Sequence, residues 1–194
     1  MMSWIKYSLF VLCLLFSASN VAYSTCPDIR SIDFRNRVYL LNEYGFTKKT
    51  KWLRVSKGRY EDHSVPMSLS FLYFEIADVV FGNLTGDGKD EAAIVAVYSS
   101  NSGSFFLTDT YVFGCVNGKV KFIDVLKQNR IERESGMLVH ESIKKSVKIR
   151  DGILFVAYGT EGARPSPDFT TTFRYKVSRG NLVAYKRPIS RKNL

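Results

Sequence analysis

The apolar positions of this chain fall in short runs separated by turn residues, a spacing that predicts strands joined by hairpins. Glu91–Tyr98 (EAAIVAVY) is the most continuous run, and it predicts a strand covered on both faces. Ser104–Cys115 and Val120–Leu126 flank Asn117-Gly118, a dipeptide whose residues tolerate the positive φ of a tight hairpin. Ser146–Arg150 and Ile153–Tyr158 flank Asp151-Gly152 in the same way, and Thr170–Val177 and Leu182–Lys186 flank Ser178-Arg179-Gly180-Asn181. Within the last of these pairs Phe173, Tyr175 and Val177 alternate with Thr172, Arg174 and Lys176, which implies one buried and one solvated face. Trp52–Val55 and Arg59-Tyr60 around Lys57-Gly58 predict a fourth hairpin, and Asp33–Leu41 a further strand. One short helix is expected at Gln128–Gly136, a long loop at Gly159–Pro167, and a frayed basic tail at Arg187–Leu194. The fold class expected is mainly β, a single-domain antiparallel sheet or sandwich built from hairpins with little helix.

The first 24 residues follow a different pattern. Lys6 precedes an apolar run, Tyr7–Phe16, and Ala22-Tyr23-Ser24 places small residues at the −3 and −1 positions of a cleavage site. Residues 1–24 therefore read as a signal peptide and 25–194 as one β-rich domain with a basic C-terminal tail. The run is short for a membrane span, so no transmembrane segment is expected after cleavage. The compartment implied is secreted or periplasmic.

That placement changes how the composition is read. The 194-residue chain has 28 Lys and Arg against 18 Asp and Glu, a net charge of +10. The leader holds one of the basic residues and none of the acidic ones, so the excess persists without it. An exported basic protein meets anionic envelope polymers, or an envelope protein, before it meets nucleic acid. Lys48, Lys49, Lys51, Arg54, Lys57 and Arg59, close to Trp52 and Tyr60, form the densest basic stretch and the candidate polyanion site. Of three cysteines, Cys13 leaves with the leader. Cys26 and Cys115 are then an even pair in an oxidising compartment and are expected to form a disulfide, with a ceiling of roughly 4–5 kcal/mol for a loop of that length. His63 and His140, the only histidines, lack the spacing of a metal site or the partners of a catalytic triad.

Distinctive chemistry concentrates in Asn83–Glu91 (NLTGDGKDE). Oxygen-bearing side chains fall at its first, third, fifth and ninth positions, with Gly88 sixth, where a sharp turn is needed. Hard cations want six to eight oxygens, so Asn83, Thr85, Asp87, the carbonyl of Lys89, and Glu91 form a candidate calcium set. The same residue types also make good turns without a metal. The loop resembles the calcium loop of FG-GAP and VCBS-type repeats, in which Asp, Asn, Asp and Asp occupy those four positions. Asn83, Thr85, Asp87 and Glu91 stand there in this chain.

With Ile32-Asp33-Phe34-Arg35-Asn36 before it, and Tyr111-Val112-Phe113 and Thr170–Tyr175 after it, the loop is similar to bacterial exported proteins with a Gly-Asp-Leu-Thr-Gly-Asp-Gly-Lys-x-Glu-Ala signature. It is also similar to the mycobacterial LppP/LprE lipoproteins. The resemblance implies an exported β domain and supplies no reaction. Members often carry paired cysteines ahead of the Thr-rich strand, where Arg164-Pro165-Ser166-Pro167 stands here. Two functional readings follow. One is a non-enzymatic envelope binding or structural module. The other is a hydrolase of envelope polysaccharide that uses paired carboxylates drawn from Asp78, Asp87, Asp90 and Glu91.

Overall fold

The computed structural model describes residues 26–42, 50–62, 72–100, 107–163 and 166–192. The leader, Lys48, Lys49, His63 and the start of the Ser104–Cys115 run lie outside the described residues.

The protein is mainly β, with antiparallel sheets and one α-helix among the described residues. A central sheet has the order β3 (Arg59–Glu61), β4 (Leu72–Gly82), β5 (Glu91–Ser100), β6 (Leu107–Val116), β7 (Lys119–Leu126). On one side it carries the pair β1 (Val38–Asn42) and β2 (Thr50–Arg54), together with 3-10 turns at Ile29–Ser31 and Phe34–Asn36. On the other side lie β8 (Val139–Arg150), β9 (Ile153–Ala163), β10 (Ser166–Ser178), β11 (Asn181–Ala184), β12 (Ile189–Lys192) and helix α1 (Gln128–Ser135).

This layering explains the continuous run in β5. Ala92, Ile94 and Ala96 face Phe34, Tyr39, Leu41, Phe74, Tyr111 and Phe113. Ala93 and Val95 face Val112, Leu154, Val156, Tyr158 and Phe173. A strand with a core on each face has no solvated side on which to place polar residues. Tyr39 anchors the first core, with ring centroids 5.6 Å from Phe74 and 5.5 Å from Tyr111. Its buried hydroxyl donates to the Phe34 carbonyl at 2.6 Å, so the phenol is not left unpaired.

The three hairpin turns fall where the turn dipeptides place them. Both central residues have positive φ in each, for example 52° and 71° at Asn117-Gly118. The helix ends at Gly136, whose φ of 71° lets its N–H reach the Glu132 carbonyl at 2.8 Å. Four expectations need correction. Lys57-Gly58 is a tight turn, with Ser56 bridged to Arg59, but its arms part: β2 pairs with β1, and β3 pairs with β4. Asp33–Leu41 is a 3-10 turn followed by β1, because the Asp33 carboxylate caps the turn at the Arg35 N–H. Gly159–Pro167 is not a long loop, since β9 and β10 stay paired as far as Ala163 and Ser166. Arg187–Leu194 does not fray throughout, because β12 pairs with β10 from Thr172–Ile189 to Phe169–Lys192. Among the described residues no helix is long and apolar enough to cross a membrane.

Candidate functional site

Asn83–Glu91 connects β4 to β5, and its side-chain oxygens bond to its own backbone. Asn83 Oδ1 accepts from the Gly86 N–H at 2.7 Å, and Asp87 Oδ1 accepts from the Lys89 N–H at 2.9 Å. Glu91 turns inward and is buried. Its Oε2 accepts from the Leu84 N–H at 2.7 Å and the Thr85 N–H at 3.0 Å, and its Oε1 accepts from the Thr85 hydroxyl at 3.1 Å. Burial raises the carboxyl's pKa, and the two amide bonds oppose that rise. Gly114 makes room: a Cβ there would sit 3.0 Å from Glu91 Cγ. The loop therefore brings Thr85 and Glu91 together and uses Asn83 and Asp87 as turn formers. Among the described residues no three His, Cys, Asp or Glu side chains are grouped to hold an ion. Asn83, Asp87 and Glu91 each have one oxygen engaged by a backbone amide, and the Thr85 hydroxyl donates to Glu91.

The remaining carboxylates of the hydrolase reading have local partners as well. Asp90 pairs with Arg30 at 2.7 Å, and Asp78 accepts from the Val79 N–H at 2.8 Å. Cys26 and Cys115 are joined, with Cα atoms 6.0 Å apart, as expected from the cysteine count. The disulfide and the Arg30–Asp90 pair hold the start of the described chain against the loop. Arg30 also lies 5.2 Å from the Phe81 ring centroid.

The predicted basic stretch is divided by the strand pleat. Lys51 points to the covered side of β2 with Leu53, where it pairs with Asp62 and lies 5.3 Å from the Tyr60 ring centroid. Arg54 points to the opposite side with Trp52. Arg59 pairs with Glu75 at 3.1 Å, and Lys57 is exposed on the turn. Carboxylates thus already neutralise part of this stretch.

A second cationic surface emerges only from the register of β8–β12. Thr171, Phe173 and Tyr175 on β10 are buried, whereas Thr170, Thr172, Arg174 and Lys176 alternate with them on the opposite side and are partly exposed. Lys148 on β8 is paired with Phe155 on β9, and Phe155 with Arg174 on β10. Tyr185 continues the row, its N–H donating to the Arg174 carbonyl at 2.7 Å. Cation, aromatic, cation and aromatic therefore follow one another across the sheet. Tyr185 has Lys176 at 4.1 Å and Lys186 at 5.2 Å from its ring centroid, and these two charges, Lys176 first, hold its phenol below the usual pKa. Adjacent rows add Arg150, Lys176 beside Val183, and Arg191 beside Thr170. Arg150 shares its charge with Asp151 at 3.1 Å. Arg150, Lys176 and the loop residues Asn83–Gly86 also line an open cleft of about 720 Å³ at the sheet's edge.

One buried acid escaped the sequence reading. Asp109 on β6 is 1 % exposed, and desolvation lifts its carboxyl to about 7, against the opposing influence of Lys127 and hydrogen bonds from Gln128 and Tyr98. Its Oδ1 accepts from the Gln128 N–H, the first amide of α1, at 3.4 Å. Asp109 Oδ2, Thr110 Oγ1 and Gln128 Oε1 are buried without a hydrogen-bond partner. Nothing in the pattern Leu-Thr-Asp-Thr-Tyr marks this acid as interior.

Comparisons with known protein families, with curated proteins and with solved structures found no match.

Proposed function

We propose that the protein is an exported, non-enzymatic β domain that binds anionic polymers of the cell envelope through the outer face of β8–β12. The observation that carries this reading is the row Lys148–Phe155–Arg174–Tyr185, flanked by Lys176 and Arg191. Cations spaced across a sheet meet repeating carboxylates, sulfates or phosphates along a chain, and the interleaved rings offer flat apolar surface to sugar rings. The leader supports export, and the basic excess favours an anionic partner. In this reading Asn83–Glu91 is a metal-independent strap between β4 and β5.

Calorimetric titration with heparin and with a polyuronic acid tests it. Binding is expected at low salt and should weaken progressively as salt shortens the Debye length to about 8 Å near physiological strength. No heat with either polymer at low salt refutes the reading, and so does binding that ignores salt.

A further inference from the structure

We propose that the free edge of β1 accepts an extended peptide from another protein, which adds a third strand to the β1–β2 layer. Among the described residues β1 pairs with β2 alone. The Val55 N–H donates to the Arg37 carbonyl at 2.9 Å, so odd-numbered residues of β1 bond to β2. The backbone N–H and C=O groups of Val38, Leu40 and Asn42 therefore point away from β2. The Leu40 carbonyl shows this directly, since it accepts from the Tyr111 hydroxyl at 3.4 Å on that side.

Among the described residues nothing covers the largely apolar surface beside this edge. A groove of about 330 Å³ runs between β1 and the face of β6–β7, lined by Val38, Leu40, Trp52, Tyr111, Phe122 and Val125. Trp52 is 67 % exposed and Phe122 51 %, although both are large apolar side chains. The β1–β2 layer stops short of β7, and one more strand on β1 would lie over Phe122 and Val125. Strand edges that face water are usually guarded by charge or proline. The β7 edge carries Lys119 and Lys121, whereas β1 reads Val-Tyr-Leu-Leu-Asn with neither. An unguarded edge beside an apolar groove is the arrangement that strand addition uses: main-chain bonds supply affinity, and alternate side chains fill the groove.

Charge narrows the partner further. The Arg37 guanidinium lies 5.5 Å from the ring centroid of Phe113 at the groove, and Arg54 is paired with Val38 across β2. The groove's one acid, Asp124, is already held by Arg130 at 3.0 Å and by the Leu182 N–H at 2.8 Å. Among the described residues the rim is therefore net positive. The fitting peptide alternates apolar residues and carries an Asp or Glu near the Arg37 end.

The test pans a phage library of random ten-residue peptides on the folded protein, then titrates enriched peptides into the Trp4→Phe chain, where Trp52 is the remaining tryptophan. The expected result is enrichment of alternating apolar peptides with an acidic residue, and a saturable blue shift of Trp52 emission. N-methylating one alternate set of peptide amides should weaken binding at least tenfold, and methylating the other set should not. Phe122→Lys should abolish binding in a protein that still unfolds in one cooperative transition, with a melting temperature lowered only by the lost ring contacts to Tyr111 and Phe113. The proposal is overturned if no peptide is enriched, or if the two methylation patterns act alike. It is also overturned if Trp52 responds to dodecyl phosphate and not to peptides, which would assign the groove to an acyl chain. A dimer in sedimentation equilibrium that Phe122→Lys dissolves would assign the edge to a second copy instead.

Discussion

Replacing Asp109 with Asn removes an ionisable group from the interior while keeping its shape. The carboxyl sits on β6 with an ordinary pKa of 3.8 in the open chain and about 7 when folded. An acid whose folded pKa is raised binds its proton more tightly in the native state. Its contribution to stability is therefore fully present below about pH 4, is lost as pH rises toward 7, and changes little above that. Each pH unit within the window corresponds to about 1.4 kcal/mol, so ionising Asp109 costs roughly 4 kcal/mol between pH 4 and 8. Asn cannot ionise, and its Oδ1 can still accept from the Gln128 N–H. Urea unfolding of both proteins, followed by circular dichroism at unit steps from pH 4 to 8, measures the difference. Whatever the amide costs in packing, Asp109→Asn should gain on the wild type by about 4 kcal/mol across that range. The acid titrations of exposed carboxylates cancel in the comparison. Parallel stability curves for the two proteins would refute the reasoning, because they would mean that Asp109 titrates as if in water.

Three further outcomes follow from the loop and its anchor. Glu91→Ala leaves the buried Leu84 N–H and the Thr85 N–H without their acceptor, and should lower unfolding free energy by about 2–3 kcal/mol in urea titration. A loss below about 0.5 kcal/mol would show that the strap does not hold the β4–β5 connection. Cys26→Ser with Cys115→Ser opens a closed loop with a sequence separation of 89 and should cost about 2–5 kcal/mol, read as a lower urea midpoint that matches the reduced wild type. Millimolar calcium added to chelator-treated protein should leave the melting temperature unchanged, since Asn83, Asp87 and Glu91 already accept from backbone amides. A clear rise would instead establish a cation site at Asn83–Glu91.

Local chemistry explains which parts of this fold were legible. Asn117-Gly118 and Asp151-Gly152 mark their hairpins because positive φ is a demand on single residues, and Gly180 does so within Ser178–Asn181. The β5 run is readable because burial on both faces removes polar positions. Lys57-Gly58 misled because a turn dipeptide does not say which strands its arms will join. The edge strand β12 was hidden because all of its residues are exposed, so no alternation survives in Ile-Ser-Arg-Lys. The candidate site was hidden for a related reason. Lys148, Phe155, Arg174 and Tyr185 stand in four separate segments, and only the β8–β9–β10 register places them in one row. The dense run from Lys48 to Arg59 looked like a patch in one dimension, but the pleat sends Lys51 and Arg54 to opposite sides.

Affinity for fluorescein-labelled heparin, measured for three proteins at low salt, bears most directly on the proposed binding face. The wild type is compared with a Lys148→Glu, Lys176→Glu, Arg191→Glu variant and with an Arg54→Glu, Lys57→Glu variant. At about 1 kcal/mol per exposed cation near a polyanion, the sheet variant should bind roughly 100-fold more weakly. The hairpin variant should stay within about tenfold of the wild type, reflecting only the change in overall charge. A hairpin variant that loses as much as the sheet variant, or a sheet variant that binds like the wild type, would contradict the assignment of the polymer to β8–β12.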